Sequence, residues 1–82
     1  NPTHGEGAIR FTLPAPAHAT LRVYDARDRL VATLVDATTS AGVHVVRWGE
    51  HDAGGHRVAQ GVYVCELRAA GRRLTSRLAV VR

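Results

Sequence analysis

Imidazole and carboxylate side chains offer the most obvious chemistry in this sequence. His44 precedes a glycine-rich stretch, and His51, Asp52 and His56 lie within it. Together such groups suit a divalent ion such as zinc. Their spacing matches no established ligand motif, so the expectation is exposed loop histidines and no metal. Nucleophilic catalysis needs a serine or cysteine held by a base, and Ser40, Ser76 and Cys65 are the candidates. Ser76 and Cys65 fall at inward positions of alternating segments, whereas Ser40 stands in a polar turn. A buried free cysteine behaves as a small apolar residue, which is the expectation for Cys65. Paired carboxylates for acid–base work are missing, because the acidic residues occur singly in turns or at outward positions. Gly54-Gly55 lacks the strand–loop–helix setting in which backbone N–H groups cradle a phosphate. The sequence therefore predicts no catalytic residues and no cofactor.

The elements that position these residues are strands. Apolar residues recur with a period of two, in short runs separated by Gly, Pro and Asp. Residues 8–13 alternate Ile9, Phe11 and Leu13 against Arg10 and Thr12, and Pro14 and Pro16 end the run because proline has no N–H for a ladder. Residues 20–25 and 30–35 read as a hairpin about the turn Asp25-Ala26-Arg27-Asp28. A polar connection over 36–40 leads to a strand over 43–48, with His44, Val46 and Trp48 on one face. Residues 49–61 form the longest loop, broken by Val58-Ala59. Residues 62–67 and 74–81 read as a second hairpin about Ala69-Ala70-Gly71.

This pattern predicts an all-β, antiparallel immunoglobulin- or fibronectin-III-like sandwich of six to seven strands, the seventh being the Val58 segment. Its expected core is Phe11, Leu13, Val23, Val46, Trp48, Tyr63, Cys65, Leu67, Leu78 and Val80. Trp48 is placed at the centre, since no other side chain here has as much area to bury.

At 82 residues the chain has room for one domain, spanning residues 1–82. A core this small predicts modest stability, or support from a neighbour. No window has the roughly 18 apolar residues of a membrane span, and the start of the sequence has no signal-peptide pattern. Cys65 is the only cysteine, which precludes an internal disulfide. All eleven basic residues are arginine, so a Lys–Asn isopeptide cross-link is excluded. The net charge of +4 raises the question of an acidic partner. The arginines are scattered, with only Arg72-Arg73 adjacent, and aromatic residues are few, with Tyr24, Trp48 and Tyr63 all in apolar contexts that suggest core. Solvated strand faces are therefore expected, and no nucleic-acid partner.

The ordered set Asn1-Pro2, Ile9-Arg10-Phe11-Thr12-Leu13-Pro14, Val23-Tyr24-Asp25, Gly42-Val43-His44, Trp48, Gly61-Val62-Tyr63 and Leu78-Ala79-Val80-Val81-Arg82 resembles the immunoglobulin-like domain of the flagellar hook-capping protein family. It is also similar to the related C-terminal sorting domains of type IX secretion, and the likeness covers essentially the whole chain. The resemblance implies a non-catalytic accessory module at the C-terminus of a larger exported bacterial protein, extracellular or at the cell surface. Its partners would be the parent polypeptide's other domains and secretion or surface-assembly machinery. An edge-strand assembly or adhesion module is the alternative implied, and glycan binding a third that the scarcity of aromatics disfavours. Arg77 and Arg82 match the basic end of the sorting domains and would contact the partner. Asn1-Pro2 would be the extended entry from a linker, and Gly61 would allow close backbone approach. Two positions depart from the pattern. Asp28 stands where glycine usually follows the Tyr-Asp pair, which predicts a positive φ at Asp28. Gly49-Glu50 replaces the Asp-Gly that usually follows the tryptophan.

Overall fold

The computed structural model describes residues 8–81; Asn1-Pro2 and Arg82 lie outside the described residues. Among the described residues six strands run in chain order: β1 Ala8–Leu13, β2 Ala17–Tyr24, β3 Leu30–Thr39, β4 Gly42–Arg47, β5 Gly61–Ala69 and β6 Arg72–Val80. They form two antiparallel sheets, β1-β4 and β3-β2-β5-β6. The all-β sandwich predicted from the period-two pattern is the fold. The Val58 segment adds no seventh strand; it contributes one half-buried side chain and an isolated bridge between His51 and Arg57.

The core lies between the sheets, where Trp48, Leu21, Leu78, Val23 and Val80 are the largest fully buried side chains. Alternation places Ile9, Phe11 and Leu13 of β1 against Leu21 and Val23 of β2 and Tyr63, Cys65 and Leu67 of β5. Ala19 and Ala32 join them, small residues whose types carry little hydrophobic signal. Val46 differs from expectation. It is half-buried at the margin of the core, because among the described residues β4 is an edge strand paired with β1 alone. Tyr24, read from its apolar context as core, is half-buried on the outward face, paired with Leu30 and Val64.

The polar stretch 36–39 is strand and not a connection. Asp36 to Thr39 pair with Ala17 to Thr20, so β2 and β3 are both longer than alternation suggests. β3 is an edge strand with solvent on one side, and its ladder tolerates polar side chains there. Register shifts opposite Leu21/Arg22 and Val23/Tyr24 leave Leu34 and Val31 as extra residues on β3. Both pack against the core, so the bulges add apolar cover.

Two aromatic tips tie the long loop to the sandwich. The Trp48 Nε1–H donates to the His51 carbonyl at 2.9 Å, and the Tyr63 hydroxyl donates to the Ala59 carbonyl at 2.6 Å. The rings meet edge to face, with centroids 5.2 Å apart.

Candidate functional site

Two five-residue turns built on one plan lie at one end of the sandwich. In the β2–β3 loop, Asp25 Oδ1 accepts the N–H groups of Arg27 and Arg29, both at 2.9 Å. The Asp25 carbonyl accepts the Asp28 N–H, and the Asp25 N–H donates to the Arg29 carbonyl, each at 3.0 Å. Asp52 repeats the pattern: its Oδ1 accepts the N–H groups of Gly54 and His56, its carbonyl accepts from Gly55, and its N–H donates to the His56 carbonyl. Backbone N–H donation, from Arg29 at Asp25 and from His56 at Asp52, is the main reason both carboxyls lie below the usual aspartate range. A bond from the Ala53 N–H to the Val31 carbonyl, 3.0 Å long, joins the second loop to β3.

These bonds account for the residues that suggested a metal. Asp52 Oδ1 is committed to the turn, with His56 Nδ1 3.5 Å away. The His51 carbonyl is used by Trp48, whereas His44 bonds the Ser40 carbonyl through Nε2 at 2.8 Å and stacks on Phe11. Asp52 and His56 share one turn while His51 and His44 serve other local structures, and no group of three or more metal-ligating side chains forms among the described residues. A Cβ on Gly54 would lie 3.1 Å from His56 Nδ1, so a side chain there would push the exposed His56 ring aside by a few tenths of an ångström.

Cys65 and Ser76 face one another across β5 and β6. A groove of about 200 Å³ between β1 and β6 reaches both, but its lining of Ile9, Arg10, Leu21, Leu67, Leu74 and Thr75 supplies no general base. Cys65 is buried, and loss of solvation, reinforced by the neighbouring Glu66 charge, pushes its thiol up to about 11. It is protonated at neutral pH. Ser40 lies exposed in the β3–β4 turn.

The outward face of the four-stranded sheet holds a charged network that sequence reasoning missed. Glu66 of β5, at an outward position, is 7% exposed. Its Oε1 accepts from Arg68 Nε at 3.0 Å and its Oε2 from Arg73 Nε. The Arg73 bond, followed in weight by opposing desolvation and then the Arg68 bond, holds the carboxyl below the usual range. Arg68 was two residues away and visible; Arg73 comes from β6, and only strand pairing brings it to Glu66. Arg77 is exposed on the same face, at the register position opposite Val64.

Residues 2–72 match the family model of the FlgD Ig-like domain. The chain belongs to this family. The crystal structure of FlgD from P. aeruginosa has the same fold, with a TM-score of 0.71 at 21% identity over 84% of this chain and 56% of that one. PorZ, an essential bacterial surface component of the type-IX secretion system of Porphyromonas gingivalis, gives a TM-score of 0.60 at 29% identity over 80% of this chain. The match spans 8% of the PorZ chain. No curated protein matches.

Both departures from the FlgD Ig-like pattern have backbone consequences. Asp28 has a φ of 66°, the left-handed conformation expected from its place in the turn, and Glu50 has a φ of 61°. The chain thus keeps the glycine-type geometry after Trp48 while holding a glutamate there. Gly61 in this FlgD Ig-like domain does not serve close approach, because a Cβ there would meet nothing within 4 Å.

Proposed function

We propose that this FlgD-type domain is a non-catalytic assembly module of a larger exported bacterial protein, standing at its C-terminus and holding that protein to a neighbour outside the cell or at its surface. One observation carries the reading. The β1-β4 sheet covers the four-stranded sheet only in part, so Leu74, opposite the buried Leu67 on the inward face of β6, is 60% exposed between the edges of β1 and β6. An added strand or packed domain would cover it, and free strand edges supply the backbone groups for pairing. The parent protein's other domains are the first partners to test. The Leu74→Glu variant should keep its fold and lose association with those domains, as read by analytical ultracentrifugation. Association undiminished by the substitution would sink the reading.

A sorting role in secretion is the second reading, supported by the exposed Arg77 on edge strand β6 and by the likeness to a stretch of PorZ. Removing β6 is a poor test, since Leu78 and Val80 are core residues. The double variant Arg77→Ala with Arg82→Ala alters no residue of the described core. Secretion of the parent at its normal level with both arginines gone would count against this role.

A further inference from the structure

Four arginines from three strands converge on one groove. Arg22 of β2, Arg68 of β5, and Arg72 and Arg73 of β6, with His18, line a depression of about 430 Å³ at the β5–β6 turn. Glu66 is the carboxylate bonded within this network, to Arg68 and Arg73, and Asp28 also acts electrostatically on Arg73, so the four guanidinium groups outnumber the carboxylates that face them. Asp36, on β3, is bonded by His18 at 2.8 Å. Glu66 grips Arg68 and Arg73 through their Nε atoms, and their side chains remain 59% and 62% exposed. Their Nη groups are therefore free to donate. Arg22 and Arg72 form no ion pair among the described residues.

We propose that this groove binds phosphate-type oxyanions. Guanidinium groups present planar forks of N–H donors that match phosphate oxygens, and two of the four are already fixed by a buried carboxylate, so less side-chain freedom is lost on binding. The lining of the site argues against nucleic acid: Trp48 and Tyr63 are buried in the core, and no Phe, Tyr or Trp lines the groove to stack on a base. The ligand chemistry is a phosphate group, free in solution or displayed on a surface.

The test is a titration of the 82-residue chain with inorganic pyrophosphate, followed by NMR of the arginine Nε–H and of the amides of residues 68–73. Saturable shifts at Arg22, Arg68, Arg72 and Arg73 are expected, with affinity falling as salt rises. Removing one arginine contact should weaken binding about tenfold, so Arg72→Ser is the informative variant. Arg27→Ser, in the β2–β3 loop outside the groove, should bind as the parent does. Neither serine variant removes an ion pair of the Glu66 network, and equal melting temperatures would show that both fold. In a second arm, vesicles of phosphatidylglycerol are compared with phosphatidylcholine alone. Selective binding to the former assigns the site to a phosphate-bearing surface, and pyrophosphate binding without it assigns the site to a soluble phosphate. No saturable response to either probe, or equal weakening by Arg27→Ser and Arg72→Ser, overturns the proposal.

Discussion

Asp28 and Gly55 occupy the same position in two copies of one turn. Each lies three residues after an aspartate whose Oδ1 takes two backbone N–H groups, and each is left-handed, with φ of 66° and 83°. One position carries a side chain and the other does not. The pair therefore separates the torsional cost of the turn from every contact it makes.

Gly55→Ala should destabilise by about 1 kcal/mol or somewhat more, since left-handed backbone is costly for a residue with a Cβ. No atom lies within 4 Å of the added Cβ, so this loss is torsional and not steric. Asp28→Gly should change stability by only a few tenths of a kcal/mol, because aspartate tolerates this region. Urea unfolding of both variants gives the comparison.

Glu50→Gly should stabilise the fold, and by more than Asp28→Gly. Glutamate lacks aspartate's short side chain for local hydrogen bonding, yet it holds a φ of 61° after Trp48. A gain of about 0.5–1 kcal/mol is expected once the greater freedom of glycine in the unfolded chain is deducted. A fall in Tm would show that the Glu50 side chain has a stabilising role outweighing its backbone strain.

Tyr63→Phe removes the bond to the Ala59 carbonyl while keeping the ring against Trp48. A loss of about 1 kcal/mol is expected, together with faster amide exchange in the 48–60 loop. Trp48→Ala empties the centre of the core and should cost about 3–5 kcal/mol, enough to unfold a domain of this size. Chemical denaturation of the first and circular dichroism of the second check these outcomes.

Acid should unfold the domain through Asp25, Asp52 and Glu66. Their carboxyls lie below their usual ranges in the folded state, so the unfolded chain binds protons more readily as pH falls. Their contribution is fully present above about pH 4.5, the ordinary value for glutamate, and is lost as pH falls through the lowered folded values. Replacing Glu66 with Gln should flatten this dependence and lower stability at neutral pH by about 1–2 kcal/mol, as the bonds to a charged acceptor are weakened. A Tm against pH profile of the variant that overlays the parent's would refute the role given to Glu66.

Cys65 should resist thiol reagents in the folded chain and react once urea exposes it. Burial and a protonated thiol act in the same direction. Labelling at the same rate in both states would mean that the β5–β6 side of the sandwich opens readily.

The sequence by itself determined which residues face inward. Alternation in Ile9, Phe11 and Leu13, or in Tyr63, Cys65 and Leu67, records the two faces of a strand locally, because side chains alternate whichever strand lies alongside. The turn at Asp25 to Asp28 was equally local, and the left-handed conformation at Asp28 followed from the glycine that related domains have there, a conformation aspartate tolerates. Only the tertiary structure decided what lies beside what. Arg22, Arg68, Arg72 and Arg73 share one groove because the sheet order β3-β2-β5-β6 places their strands together. The same pairing buries Glu66 under an arginine of the next strand and makes a polar stretch, Asp36 to Thr39, part of a ladder. The narrow second sheet then leaves Leu74 exposed on an inward-facing position. The period of a strand fixes its faces, but its neighbours are fixed by hydrogen bonds between residues distant in the chain.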